Sequence, residues 1–198
     1  MIRTLADAGD LRSKRVLLRC DLNVPLNDGV IGDDGRIRAS VQTIQYLVEA
    51  GARVLIASHL GRPQGAPDSK YSLEPIARRL EELLGQPVLF CSDTVGPVAK
   101  AASKLLEDGG VALLENLRFH PEETSEDPAE RQELAAEIAS FVDLTVCDGF
   151  GVVHREQASV FELAKTVPSY AGFLIQAELE VLQKLTSNPV KPLSLIHI

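Results

Sequence analysis

The sequence predicts a doubly wound α/β domain, a parallel sheet with helices on both faces in three layers. Three observations carry this reading. Short, wholly apolar runs of about four residues recur along the chain, as strands buried on both faces require. Segments of helical periodicity separate those runs, and strand–helix alternation is the pattern of parallel pairing. The 198 residues, 45% of them hydrophobic, can close one full core without disulfides or a structural metal.

Each element has its own signal. Val16-Leu17-Leu18 reads as the first strand, and a flexible Gly/Asp-rich loop follows over 27–35 and carries on to Arg36 and Arg38. Ile44, Leu47 and Val48 mark an amphipathic helix that Gly51 stops. The run 54–57 is the second strand, and the loop after it holds Gly61, Pro63, Gly65 and Pro67. Ser72 is placed to cap a helix over 73–84, with Gly85 just past its end. Val88-Leu89-Phe90 is the third strand, 98–106 a helix, Gly109-Gly110 a turn, and 111–114 the fourth strand. An acidic helix over 128–141 leads to the fifth strand, 144–147. Two more helical segments lie near 159–166 and 174–185. Five strands in this alternation describe a Rossmann-like sheet.

Composition narrows the function classes. Twenty Lys and Arg against 28 Asp and Glu give a net charge of −8, which argues against nucleic acid or an anionic membrane as partner. Aromatics are 5% with no Trp, and no aromatic–basic interleaving occurs. Cys20, Cys91 and Cys147 are widely spaced, without C-x-x-C, which disfavours a disulfide framework or a zinc site and suits a reducing cytoplasm. Arg3, Asp7, Asp10, Arg12, Lys14 and Arg15 leave no room for a signal peptide near the start. The longest uncharged run, 166–177, has 12 residues and contains Pro168, short of the about 20 that a membrane span needs.

In an open parallel sheet, ligands bind beyond the carboxyl ends of the strands. Asp21, Asn23, Arg36 and Arg38 follow the first strand; His59, Gly61 and Arg62 the second; Ser92 and Asp93 the third. Glu115, Asn116, Arg118 and His120 follow the fourth; Asp148, Gly149, Gly151, His154 and Arg155 the fifth. Four of these five loops bring a cation to one rim. An acidic protein that gathers arginines there is built for a small anion, phosphate or carboxylate, whose oxygens the guanidinium fork bonds in pairs.

Blander readings stand beside this one. A single loop Arg is usually solvated, and His59 alone could be a capping or packing residue. Arg19 lies within a strand and is expected to partner a carboxylate structurally. His120 and His154 are too scattered for a metal set. Glu122, Glu123, Glu126, Asp127, Glu130, Glu133 and Glu137 read as a solvated helix face and its leading loop. No G-x-x-x-x-G-K-[ST] occurs, and His154 stands where a third glycine would complete a dinucleotide fingerprint after Gly149 and Gly151. No G-x-S-x-G occurs, and Cys147 ends a buried strand, which disfavours a thiol nucleophile in Cys147–Asp148–His154.

Five blocks carry a family resemblance. They are Arg19-Cys20-Asp21-Leu22-Asn23-Val24-Pro25, Asp33-Asp34-Gly35-Arg36-Ile37-Arg38-Ala39, Ser58-His59-Leu60-Gly61-Arg62-Pro63, Glu115-Asn116-Leu117-Arg118-Phe119, and Asp148-Gly149-Phe150-Gly151 with His154-Arg155 and Ala158-Ser159. In order and spacing the chain resembles the N-terminal half of the phosphoglycerate kinases. Cys147, Gly149 and Val152 stand where Asn, Ala and Thr are frequent, and none of these replaces a charged ligand.

The resemblance implies a 3-phosphoglycerate-binding lobe over 1–172 and a hinge helix over 173–192 leading to a missing nucleotide lobe. The hexapeptide 193–198, Leu-Ser-Leu-Ile-His-Ile, matches the translation of a sequencing adapter and is expected to be a non-native tail. By resemblance, His59, Arg62, Arg118 and Arg155 clasp the 3-phosphate, Asp21 and Asn23 hold the hydroxyl region, and Leu22, Leu60 and Gly61 complete the substrate contacts. Arg36 sits at the carboxyl end as the catalytic cation. Mg-ATP or Mg-ADP belongs to the missing lobe, and no metal ligand is expected in this one. The implied protein is a cytoplasmic, monomeric enzyme of glycolysis, with 3-phosphoglycerate or 1,3-bisphosphoglycerate as its partner. A stand-alone phosphoglycerate-binding module and a dinucleotide-binding oxidoreductase domain are the competing readings.

Overall fold

The computed structural model describes residues 2–27 and 29–187. In chain order the strands and helices are β1 (Arg15–Arg19), β2 (Leu26–Asn27), β3 (Val30–Ile31), α1 (Gly35–Glu49), β4 (Arg53–Ala57), α2 (Glu74–Leu84) and β5 (Val88–Cys91). They continue with α3 (Gly96–Leu105), β6 (Val111–Leu114), α4 (Pro128–Ala139), β7 (Leu144–Cys147), α5 (Leu163–Thr166), β8 (Ser169–Ala171) and α6 (Phe173–Ser187). Six strands form one sheet in the order β5-β6-β4-β1-β7-β8, and every pairing is parallel. This is the doubly wound α/β fold that the sequence predicts.

Alternation along each strand divides the core in two. Val16 and Leu18 of β1, Val54 and Ile56 of β4, and Leu113 of β6 point to one face, where Ile37, Ile44 and Leu47 of α1 and Ile76 and Leu80 of α2 cover them. Leu17, Leu55, Ala57, Ala112 and Leu114 point to the other face, under Ala99 and Ala102 of α3, Leu134 and Ile138 of α4, and Leu163 of α5. Both faces are covered, so the central strands have no polar side to show and read as unbroken apolar runs. Each fully buried Leu or Ile contributes about 1.5–3 kcal/mol.

Three local expectations need correction. Helix α1 begins at Gly35, nine residues before Ile44, so Arg36 lies in its first turn and not in a flexible loop. The buried stripe of α1 runs Ile37, Ser40, Thr43, Ile44, Leu47, and its polar members hide the period from a search for apolar residues. Asp33 Oδ1 accepts from the Gly35 amide at 2.7 Å, and Asp34 ties the helix start to Arg38 at 2.8 Å and to Arg79 of α2 at 2.7 Å. Strand β8 is a sixth strand: three residues on the sheet edge, without an apolar run to announce it. The Gly/Asp loop also holds the antiparallel pair β2–β3.

The carboxyl ends of β1, β4 and β7 are level, because Arg19 pairs in register with Ala57 and Cys147. The residues that follow these strands therefore leave the sheet at one height. Helix α6, within the expected hinge segment, packs on α1 through an edge-to-face contact of Phe173 with Tyr46, ring centroids 5.1 Å apart, and buries Ile175. Asp148 is buried, and its Oδ1 accepts from the Leu174 amide at 2.9 Å at the start of α6. Burial pushes the Asp148 carboxyl up. The expected tail 193–198 and the stretch 188–192 lie outside the described residues.

Candidate functional site

The rim is built from loops that bind one another before they could bind a ligand. Ser58 Oγ, at the end of β4, accepts from the Leu22 amide at 2.9 Å and so joins the loop after β1 to the loop after β4. Asn116, after β6, is fully buried. Its Oδ1 accepts from the amides of Leu60 at 3.2 Å and Arg118 at 3.1 Å, and its Nδ2 donates to the carbonyls of Leu60 at 2.8 Å and Tyr71 at 2.9 Å. Glu115 beside it accepts from the Leu73 amide at 2.8 Å and the Ser72 hydroxyl at 2.7 Å. Ser72 Oγ in turn accepts from the Glu74 amide at 3.2 Å, which seats the start of α2. Glu115 and Asn116 are thus structural clamps, and of that motif only Arg118 is free to face a ligand.

Gly61 is the junction of the rim. Its amide donates to Asn23 Oδ1 at 2.9 Å, and its carbonyl accepts from Arg118 Nη1 at 2.6 Å. Its φ of +59° lies in the left-handed region, and a Cβ there would overlap the Tyr71 ring. Arg36 reaches back from α1: its Nη1 donates to both carboxylate oxygens of Asp21 at 3.1 Å and to the Asn23 carbonyl at 3.0 Å. The side chain of Arg36 remains 54% exposed, so its other donors are available.

A cavity of about 440 Å³ opens beside this junction, lined by Arg62, Pro63, Gln64, Gly65, Arg118, Pro121, Thr124 and Arg155. Among the described residues no carboxylate pairs with Arg62, Arg118 or Arg155. Arg118 Nε is buried and has no hydrogen-bond partner among them. Burial, and then the charges of Arg155 and Arg19, pull the Arg118 pKa down. A site that disfavours its own cations is stabilised by an arriving anion.

Behind the cavity sits a buried polar chain. Arg19 is fully buried, donating from Nε to Ser159 Oγ at 3.1 Å and from Nη1 to the Cys20 carbonyl. Arg19 Nη2 lies 3.2 Å from His59 Nδ1. Ser159 donates twice to Glu123, from Oγ to Oε1 at 2.6 Å and from its amide to Oε2 at 2.9 Å. Burial, then Arg19, Arg118, Arg155 and Arg36, lower the His59 pKa to about 3. Burial pushes the Glu123 carboxyl up, against the pull of Arg19 and the bonds from Ser159.

The structure gathers Asp21, Leu22, Asn23, Arg36, His59, Leu60, Gly61, Arg62, Arg118 and Arg155 on the carboxyl edge, since they follow β1, β4, β6 and β7 or, for Arg36, reach back to Asp21. Arg38 does not join them, being paired with Asp34 on α1. His120 Nε2 faces Asp93 at 3.0 Å, and His154 is exposed. Two expectations fail. Arg19 makes no direct ion pair among the described residues and meets its carboxylate through the Ser159 hydroxyl. Glu123, expected on a solvated face, is fully buried in that same chain. Its charge-dense surroundings concealed it; the one clue was its place just after His120-Pro121, between the fourth strand and the acidic helix. Among the described residues, no group of three or more His, Cys, Asp or Glu could hold a metal. No helix among them is long and apolar enough to cross a membrane.

Comparison with known proteins shows the family. A sequence profile of the family described as phosphoglycerate kinase matches residues 5–197. The chain is 62% identical over 195 residues to the phosphoglycerate kinase of Leifsonia xyli subsp. xyli, covering 98% of this chain and 48% of that protein. It is 51% identical over 198 residues to that of Rhodococcus erythropolis, covering 98% of this chain and 49% of that protein. The crystal structure of phosphoglycerate kinase from Pyrococcus horikoshii superposes with a TM-score of 0.88 at 39% identity, over 97% of this chain and 47% of that one. The chain spans about half the length of the curated relatives it matches. It belongs to the phosphoglycerate kinase family.

Proposed function

We propose that this member of the phosphoglycerate kinase family carries the phosphoglycerate-binding lobe of an enzyme that moves a phosphoryl group reversibly between 1,3-bisphosphoglycerate and ADP, giving 3-phosphoglycerate and ATP. The observation that supports this best is the set of three guanidiniums, Arg62, Arg118 and Arg155, lining one cavity at the carboxyl edge without a carboxylate partner among the described residues. A phosphate ester supplies the missing charge, and its oxygens match the guanidinium fork. We assign Arg62, Arg118, Arg155 and His59 to the 3-phosphate and Asp21 and Asn23 to the hydroxyl region. We assign Leu22, Leu60 and Gly61 to the remaining substrate contacts and Arg36 to the carboxyl end.

The chemistry needs little beyond this. Phosphoryl transfer is catalysed by positioning and by positive charge against the transferring oxygens. The acceptor carboxylate is already ionised at neutral pH, so no base is required. Asp21 holds one nitrogen of Arg36 and thereby aims the remaining donors at the reacting end. The second substrate of this reaction is a magnesium nucleotide. We place that nucleotide, ATP or ADP, on a second lobe of a longer cytoplasmic, monomeric protein.

Titration calorimetry of the 198-residue chain with 3-phosphoglycerate tests the site. Binding should weaken as salt rises, and Arg118→Ala should lower affinity by about 1.5–3 kcal/mol, the cost of a lost charged hydrogen bond. Equal binding by wild type and Arg118→Ala would overturn the assignment.

A further inference from the structure

We propose that Glu123, Ser159 and Arg19 form a buried positioning chain that fixes the ring of His59 with Nδ1 as acceptor and the hydrogen on Nε2. The direction of every bond in the chain follows from its partners. Arginine has donors only, so the 3.2 Å contact of Arg19 Nη2 with His59 Nδ1 requires a lone pair on Nδ1. The same holds at the other end of the guanidinium, where Nε donates to Ser159 Oγ at 3.1 Å. The Ser159 hydroxyl must therefore send its own hydrogen elsewhere, and Glu123 Oε1 receives it at 2.6 Å. Glu123 Oε2 accepts from the Ser159 amide at 2.9 Å, so both carboxylate oxygens are engaged as acceptors. The bonds from Arg19 and from the Ser159 amide cannot be reversed, and with Glu123 ionised the Ser159 hydroxyl bond runs the same way.

The consequence appears at the other ring nitrogen. With Nδ1 unprotonated, a neutral imidazole carries its hydrogen on Nε2. Among the described residues no group accepts from His59 Nε2, and the residue as a whole keeps 6% of its surface exposed. His59 then offers the rim a hydrogen-bond donor without adding a cation to the arginines around it. The opposite tautomer would turn a lone pair toward an incoming phosphate oxygen. Glu123 and Ser159 do not line the cavity and are 0% and 2% exposed, so their part is exercised through Arg19 and His59.

The inference rests on reading the rim as a phosphoglycerate site, and the test separates the two. Long-range ¹⁵N–¹H spectra of the histidine ring, recorded on the whole ¹⁵N-labelled chain, report the tautomer directly. Wild type should show a single neutral form with the hydrogen on Nε2. Ser159→Ala leaves the amide bond to Glu123 in place but unpins the guanidinium. Its His59 ring should relax to a mixture of tautomers, and 3-phosphoglycerate affinity should fall about fivefold, the loss of one hydrogen bond. A wild-type ring protonated on Nδ1 would overturn the proposal even if the variant failed to fold. So would an unchanged ring and unchanged affinity in Ser159→Ala. If the tautomer behaves as stated but 3-phosphoglycerate shifts no His59 signal in wild type, the positioning chain stands and the phosphate-site reading falls.

Discussion

Substituting alanine for Gly61 perturbs the rim at the point where its loops meet. Gly61 has a φ of +59°, and a Cβ built on it overlaps the Cε1 and Cδ1 atoms of Tyr71. The left-handed backbone costs a non-glycine residue about 1–2 kcal/mol. Forcing a methyl group against an aromatic ring costs about 1–3 kcal/mol more. Gly61→Ala should therefore destabilise the chain by about 2–5 kcal/mol. Urea denaturation at equilibrium measures this, and a double-mutant cycle divides it. In a Tyr71→Ala background the overlap is gone, so Gly61→Ala should cost only the backbone part, about 1–2 kcal/mol. Because Gly61 also bonds Asn23 and Arg118, 3-phosphoglycerate affinity should fall in both backgrounds. A cost below about 1 kcal/mol, or the same cost with and without Tyr71, would refute the reasoning.

Other outcomes follow from the same geometry. In a full-length protein, Arg36→Ala should act mainly on turnover, about 10³–10⁵-fold for an arginine serving the transferring group, whereas Arg62→Ala should chiefly raise KM; steady-state kinetics on both would expose a reversed assignment. The 198-residue chain alone should make no ATP from 1,3-bisphosphoglycerate and ADP, which a coupled luciferase assay checks. The folded pKa of His59, about 3, lies below its ordinary 6.5. The unfolded chain thus binds the extra proton first, so stability holds above pH 6.5 and declines as pH falls toward 3, with a slope of at most about 1.4 kcal/mol per unit from this group. His59→Gln should flatten that decline in urea titrations between those limits, and an unchanged slope would place the acid sensitivity elsewhere.

The legible parts of the fold were those with a one-dimensional signal. The run 111–114 and the run 144–147 are apolar on both faces, and β6 and β7 occupy those residues. Gly85 marks the end of α2 with a φ of +66°, a conformation that few other residues adopt. The first two turns of α1 were hidden because Ser40 and Thr43 are buried without being apolar. Strand β8 was hidden because its three residues owe their conformation to pairing with β7, a partner more than twenty residues away. The rim arginines were legible because parallel topology alone sends residues after each strand to one edge.

Sequence by itself determined the class of fold and the edge of the sheet to which the rim arginines go. Those follow from local periodicity, from parallel topology, and from which residues come after each strand. Only the tertiary structure decided which charges are free and which are spent. Glu123 and Glu122 are neighbours of one type, yet Glu123 alone is buried to receive Ser159 from 36 residues away. Arg36 and Arg38 are two residues apart, yet α1 turns one toward Asp21 and the other toward Asp34. The Arg38–Asp34 pair is local to one helix turn, but Asp21 and Ser159 reach their partners only because the fold brings distant segments together.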